Sequence, residues 1–490
     1  MYHQPSKRKQ LIQRVAIYSV MSTAVVVLVA ILVFFMLGYQ INQKQGTIEQ
    51  GGLVQFNTSP AGAHVVIDGK NLGTRTASRK TLSSGQHFIS MEQTGYEAWQ
   101  KSVEVLPGTV LWLTYARLVP NELKPTNVAD FSTVTSTSAA PNRQQMAIKT
   151  DASLPQIQLA DLTRDEVEVT PLELPATSYT APAPEKAQSF TIQEWDASSR
   201  YLLVKHLYDD DKVEWLVVDT DNVAETKNVT TLLGINPTKL VFRGNDSSIM
   251  YALVDGAVRE VNLNAATLSG PMVSGVAEFS VYDSTTIAYV SLPDPATGVR
   301  TVGYMTDGAS KPRTLRTFTD AAEVPLHIAI GKYFSDYYVA LGHGETVEIM
   351  KGSLPRSDAE TPSAYKVTST MAIPNGVQSL SIRTSGRFVV AQSAGGYMTH
   401  DIELDKTSTT TMAGATVDSK EPTWIDPYTV WSDLDGSLRL YEFDGANQHT
   451  IMPVAPGFSA TYSPNAKYMY AIAKSDDGKF HLSRVLMVLP

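Results

Sequence analysis

A turn rich in Pro, Asp, Asn and Ser, followed at once by a strongly apolar strand, recurs eight times between residues 121 and 490. The clearest copy is "FSATYSPNAKYMYAIA" (458–473). The others are "SAAPNRQQMAIK", "QEWDASSRYLLVK", "VFRGNDSSIMYAL", "FSVYDSTTIAYVS", "IGKYFSDYYVAL", "LSIRTSGRFVVAQ" and "PTWIDPYTVWSD". Their turns lie near Asn142, Ser198, Asp246, Ser284, Ser335, Ser385, Asp426 and Asn465, roughly 38 to 56 residues apart. Repetition at this period leaves few folds open, because one such unit cannot bury its apolar faces without a neighbour.

Each apolar strand is followed by a second turn and an alternating strand, as in "VDGAVREVNL", "DLDGSLRLYEF" and "SDDGKFHLSRV". "YDDDKVEWLVVD", "GHGETVEIM" and "SAGGYMTHDIEL" fill the same slot. Asp-Gly between alternating apolar residues signals a tight hairpin, since both turn positions favour φ > 0. Strand, turn, strand, hairpin, strand is the make-up of a β-propeller blade. Residues 120–490 are therefore expected to form a propeller of eight blades, or seven if two units merge. The last repeat reaches Pro490 without an outer strand, so residues near 121–130 are expected to supply it and close the ring. Ser463-Pro464-Asn465-Ala466-Lys467-Tyr468 resembles the S-P-D-G-K-Y-I-A repeat of bacterial TolB-like and WD40-like propellers. The Gly-His…Trp-Asp signature of the eukaryotic WD40 subtype is missing. The likeness extends over about three-quarters of the chain.

At the other end, Val15 to Tyr39 read "VAIYSVMSTAVVVLVAILVFFMLGY" without a charge. About 25 helical residues at 1.5 Å each exceed the ~30 Å hydrocarbon core. In lipid a helix is required, because every backbone group must be satisfied internally. A cleaved signal peptide has a shorter apolar core and a small-x-small cleavage site, whereas this run continues into "FFMLGYQINQ". The reading is an uncleaved transmembrane helix over 15–39. Lys7, Arg8, Lys9 and Arg14 precede it, so residues 1–14 are expected in the cytoplasm and the bulk of the chain outside. Residues 40–51 read as a linker.

Between linker and repeats, strands are expected at 53–57, 63–67, 86–92, 96–105 and 109–118, separated by Pro-Ala-Gly, Asp-Gly, Ser-Ser-Gly, Thr-Gly and Pro-Gly turns. They suggest a small antiparallel β-sandwich over 52–119. Pro60-Ala61-Gly62-Ala63, Val65-x-Ile67-Asp68-Gly69, Gly73-x-x-Thr76, Leu82-x-x-Gly85-x-His87-x-Ile89 and Gly95-Tyr96 together resemble the PEGA domain. That resemblance implies an accessory β-module of surface and envelope proteins. Ala61 stands where the family usually has Glu, and Ala77 where a Pro commonly follows the Thr; both leave the turn glycines intact.

The chain has 490 residues, no cysteine and a net charge of −9. Disulfides, thiolate metal sites and a cysteine nucleophile are thereby excluded. Charge is unevenly spread. Residues 1–50 carry +4 (five Lys/Arg, one Glu), residues 51–120 carry +2 (six against four), and −15 is left for the remainder. An acidic distal part argues against nucleic-acid binding, which needs clustered Lys/Arg.

Few residues suggest chemistry. His87 stands in a strand without a second ligand and reads as structural. Asp209-Asp210-Asp211 and Asp433-x-Asp435-Gly436 could ligate calcium, but they lack the D-x-D-x-D-G…E framework and sit where hairpin turns are needed. "HGETVE" at His343 is read the same way. Asn57, Asn228 and Asn245 head glycosylation sequons. Trp195, Trp215, Trp424 and Trp431 would serve as stacking anchors if exposed at the channel rim, and otherwise as blade-to-blade core. H-E-x-x-H and G-x-S-x-G motifs do not occur.

Mainly β, with one transmembrane helix, the chain is thus expected to be a membrane-anchored extracytoplasmic binding or scaffold protein of a bacterial cell envelope. Its helix would sit in cytoplasmic-membrane lipid, and its propeller would recognise an envelope protein or glycan. No enzyme activity, cofactor, metal or catalytic residue is expected. One alternative is a hydrolase or lyase of envelope glycan or peptide in the propeller channel, which three or more converging carboxylates and histidines would favour. Another is a single-pass sensor acting through a membrane partner.

Overall fold

The computed structural model describes residues 7–36, 38–41, 48–244, 246–320, 323–360, 364–383, 385–416 and 421–490. The expectation for Asn245, half of the linker (42–47) and the first six residues falls outside them.

The N-terminal helix, Lys7–Met36, exposes its apolar side chains along its length. Gln10–Phe34 is long and apolar enough to cross a membrane. The helix ends before the expected Tyr39. Gly38 takes the left-handed conformation (φ 78°), which glycine adopts without a Cβ clash, and Tyr39–Ile41 already pairs with Ile48–Gln50 as an antiparallel ladder. The stretch read as a linker is therefore partly a hairpin.

Residues 1–122 and 123–490 form two compact units. The first holds a two-sheet sandwich. One sheet pairs Gly52–Ser59 with Ser78–Leu82 and Val110–Arg117, and the other has the spatial order Lys70–Arg75, His64–Ile67, Gly85–Glu92, Trp99–Val105. Val54, Phe56, Val65, Ile89, Met91, Trp99 and Leu113 fill the space between. Two expectations are corrected. The sandwich is not wholly antiparallel: its first and last strands, Gly52–Ser59 and Val110–Arg117, run parallel, since the long chain between them returns the last strand in the direction of the first. Lys70–Arg75 and Ser78–Leu82 were not foreseen as strands. Both are sheet edges with mostly exposed polar side chains, so they bury too little to show alternation.

The PEGA-like motifs are bonded to one another. Thr76 Oγ1 accepts from Gly62 N and Ala63 N (both 3.0 Å) and shares a hydrogen bond with Thr58 Oγ1 (2.6 Å), joining the Pro-Ala-Gly-Ala and Gly-x-x-Thr segments. Asp68, in the left-handed region at the hairpin, accepts from Phe88 N (2.9 Å).

The second unit is a ring of antiparallel sheets. The described residues of 126–486 contain eight, and each starts with one of Ser136–Ala139, Gln188–Trp195, Lys239–Arg243, Val276–Asp283, Leu326–Tyr333, Ser379–Ile382, Thr423–Trp424 and Thr461–Tyr462. We number the sheets 1 to 8 in that order. In sheets 1 to 7 the first four strands are neighbours in chain order, and sheet 3 adds a short fifth, Val273–Ser274, on Ala257–Asn262. First strands of successive sheets approach each other, as sheets 1 and 2, 4 and 5, and 5 and 6 show, so they line the centre. Every one of the eight repeated turns falls between the first and second strand of a sheet.

Adjacent sheets share apolar cores, as propeller blades must. Ala147 and Ile157 of sheet 1 pack with Phe190 and Leu216 of sheet 2, and Leu203 with Leu240 and Met250 of sheet 3. The pattern continues through Tyr251 with Phe279, Tyr304 with Ile328, and Ala340 with Val389. Phe388 of sheet 6 stacks on Phe443 of sheet 7 at 4.5 Å. Each buried side chain of this size contributes about 1.5–3 kcal/mol. Closure follows the expected route. Thr126–Phe131 pairs with Phe480–Leu486 as the outer strand of sheet 8, and Met146 and Ile148 of sheet 1 pack on Tyr470 and Leu482.

Candidate functional site

The first strands have one free edge each, and unpaired backbone groups there must find partners. Side chains of neighbouring sheets supply several. Ser136 Oγ accepts from Ile192 N (3.3 Å), Glu194 Oε1 from Phe242 N (3.1 Å), and Thr137 Oγ1 from Ser459 N (2.7 Å). Lys239 Nζ donates to the Phe279 carbonyl (2.7 Å), and His327 Nε2 to that of Val377 (3.1 Å). Glu194 reaches its partner because a bulge between Ile192 and Glu194 re-aims the strand.

One sector of this inner wall is richer in ionisable groups. Glu278 is exposed on the first strand of sheet 4, and His327 lies on that of sheet 5. Ser379 and Ser381 come from sheet 6, with Arg383 just beyond its first strand, and Glu421 precedes sheet 7. The hydroxyls of Ser379 and Ser381 lie close enough to Glu421 to favour its charged form. Although open to solvent, it is flanked by protein on several sides. That desolvation raises its carboxyl pKa, the charge of Glu278 adds to the rise, and the serine hydroxyls and Arg383 only partly offset it. Burial lowers the His327 imidazole, and Glu278 opposes this without reversing it. The Arg383 guanidinium, 4.8 Å from the centroid of Trp424, is also lowered by burial. Two carboxylates and a histidine within electrostatic reach suit a cationic group.

Sequence reasoning named none of Glu278, His327, Arg383 or Glu421. No local motif marks them, because they come from four different repeats. Among the described residues no three His, Asp or Glu side chains are grouped to hold a metal ion.

The residues it did name have structural surroundings. His87 Nδ1 lies 2.7 Å from Asp68 Oδ2, and its Nε2 lies 2.9 Å from the Ser83 carbonyl. Asp209 and Asp210 have positive φ in the second hairpin of sheet 2, paired with Lys212 and Lys186. Asp433 Oδ2 accepts from Gly457 N (2.7 Å), Asp435 pairs with Arg439, and Gly436 takes φ 79° in the turn. His343 pairs with Asp320. Asn57 Oδ1 accepts from Thr58 N, and Asn228 caps the short helix Val229–Leu233 by accepting from Thr231 N. Trp195, Trp215 and Trp431 are buried, and the first two donate their indole N–H to the carbonyls of Ser138 and Pro237. Trp424 alone of the four is half-buried, on the inner wall beside Arg383.

Sandwich and ring together define a protein with a helix able to span a membrane, a PEGA-type module and a β-propeller. Residues 52–120 match the PEGA domain. No curated protein matches the sequence. Among solved structures, the chain is similar to the β-propeller domain of Cps50 (Swd1) from Myceliophteria thermophila at 9% identity and a TM-score of 0.40, over 74% of this chain and 99% of that one. It is likewise similar to apo AztD from Citrobacter koseri at 9% identity and a TM-score of 0.40, over 82% and 98%. The propeller assignment rests on the chain's own sheet order and closure.

Proposed function

We propose that the chain is a membrane-tethered binding protein whose propeller faces the outside of the cytoplasmic membrane. Its partner is an envelope protein or glycan, and a cationic group of that partner docks between Glu278, His327 and Glu421. The carrying observation is the raised carboxyl of Glu421 with Glu278 nearby, since an incoming positive charge relieves an unfavourable field. The four basic residues before the helix support the orientation, and the PEGA match supports an envelope setting.

Crosslinking in native membranes tests it. The wild-type chain should join one stoichiometric protein or an enriched glycan, and the double variant Glu278→Gln/Glu421→Gln should lose it. Equal recovery by both would overturn the assignment to this wall. Protease added outside the cytoplasmic membrane should digest the propeller, whereas digestion only after the bilayer is opened would reverse the orientation.

A second reading, a hydrolase or lyase of envelope glycan or peptide, draws on the same carboxyl. A carboxyl raised by desolvation holds its proton to higher pH than an ordinary one, which suits a proton donor. Turnover of such polymers that Glu421→Gln abolishes would favour it, and absence of turnover would remove it.

A further inference from the structure

We propose that the sandwich makes a second contact with the bilayer: the turn at 106–109, with Val110 and Trp112 beyond it, rests in the lipid interface next to the helix exit. This rests on the reading of the helix as a membrane span.

Backbone bonds place the turn there. Just past the helix end at Met36, the Gly38 carbonyl accepts from Gly51 N (2.9 Å), and the Gly51 carbonyl accepts from Gly108 N (2.9 Å). Two such steps, at about 4.8 Å per strand spacing, put the turn roughly 10 Å from the exit. Close packing fixes it. A Cβ on Gly52 would come within 2.6 Å of the Leu106 carbonyl oxygen, and one on Gly108 within 2.9 Å of the Gln50 amide nitrogen.

The side chains beside this exit are apolar and uncovered. Leu106 is 50% exposed, Val110 42% and Trp112 46%. Register gives their order along the sheet's outer face. Val110 pairs with Leu53, which pairs with Thr81, and two residues further Trp112 pairs with Gln55 and Gln55 with Arg79. The rows are about 7 Å apart. An aliphatic row lies near the helix exit, and an indole with a guanidinium lies one row out. That is the depth order of an interface, where aliphatic groups dip 5–10 Å and Trp and Arg sit at headgroup level. Phe34, stacked on Tyr39 at 4.8 Å, adds aromatic rings at the same exit. Lipid is the committed occupant, because the patch is continuous with the span.

The absence of cysteine allows single-site labelling of the full chain. Leu106→Cys, Trp112→Cys, Ala98→Cys and Val20→Cys variants carry an environment-sensitive fluorophore in vesicles of phosphatidylcholine and phosphatidylglycerol. Ala98 lies at the opposite end of the strand Trp99–Val105, roughly 24 Å from the turn. Labels at 106 and 112 should emit to the blue and lose emission to lipids carrying a headgroup-level nitroxide, with protection from aqueous iodide. The label at 98 should respond to iodide alone. If 106 and 112 behave like 98 while 20 is shielded within lipid, the second contact is overturned and the span stands. If 20 is also open to iodide, the membrane reading itself falls, and this proposal with it.

Discussion

Sheets 2 and 6 carry the same device in two settings. Arg200 follows the first turn of sheet 2 and Arg387 that of sheet 6, and each grips an aspartate at the end of the third strand. Arg200 Nε and Nη2 donate to Asp219 at 2.9 and 2.6 Å, and Arg387 Nε and Nη2 to Asp401 at 3.0 and 2.6 Å. Both carboxylates also accept from two backbone N–H groups of the following turn: Asp221 and Asn222 in one, Glu403 and Leu404 in the other. Register confirms the equivalence, since Tyr201 pairs with Asp219 and Phe388 with Asp401. The surroundings differ. Both guanidiniums lie 5.2 Å from the ring of the next residue, Tyr201 or Phe388, and both hold a second carboxylate, Asp221 at 3.5 Å and Glu403 at 2.6 Å, but the Arg200 side chain is 45% exposed and that of Arg387 only 11%. A repeated motif thus need not contribute repeated energy, because solvent sets its worth.

Removing the guanidinium should separate the two. Arg387→Met leaves two carboxylates without their cation in a closed setting and should destabilise the chain by about 3 kcal/mol. Chemical unfolding of the full chain in detergent measures it. The matching Arg200→Met should lower stability far less, because water and salt already screen that pair. Equal losses would break the comparison.

Acid sharpens it. The Arg200 hydrogen bond holds the Asp219 carboxyl below its ordinary value. A depressed carboxylate stabilises the fold above its unfolded pKa, about 3.9, and that contribution fades as pH falls through the folded value. The gap between wild type and Arg200→Met should therefore shrink as pH falls below about 4. A constant gap would show that Arg200 acts through packing instead. The smallest effect is that of salt. Raising ionic strength to about 1 M, where the screening length is ~3 Å, should slightly weaken the Arg200 pair and leave the Arg387 pair nearly unchanged. Comparing Arg200→Met and Arg387→Met with wild type at both salt concentrations measures this.

The clamp also shows where the sequence is readable. The eight first turns were legible because Asn, Asp and Ser cluster there, and the second hairpins because left-handed positions select their residues: Asp255 has φ 50° and Gly256 φ 69°. The PEGA-like motifs were legible for a related reason, being short segments tied to each other by hydrogen bonds. The clamp left no such trace. Arg200 and Asp219 are 19 residues apart, Arg387 and Asp401 only 14, because the hairpins between them differ in length. The inner wall was harder still. Glu278, His327 and Glu421 sit in three repeats at unlike local positions, and only closure of the ring brings their fields together.

Closure has a mechanical side. Thr126–Phe131 is the first strand after the sandwich in the chain and also the outermost strand of the sheet that holds the C-terminal strands. If the proposed tether and docking hold, the covalent chain passes any pull between them into the ring at this strand. Its pairs run from Thr126 with Arg484 to Phe131 with Phe480, and Thr126 is the paired residue nearest the rest of the N-terminal chain. The seam that completes the propeller would then also be the first part of the ring to feel that pull.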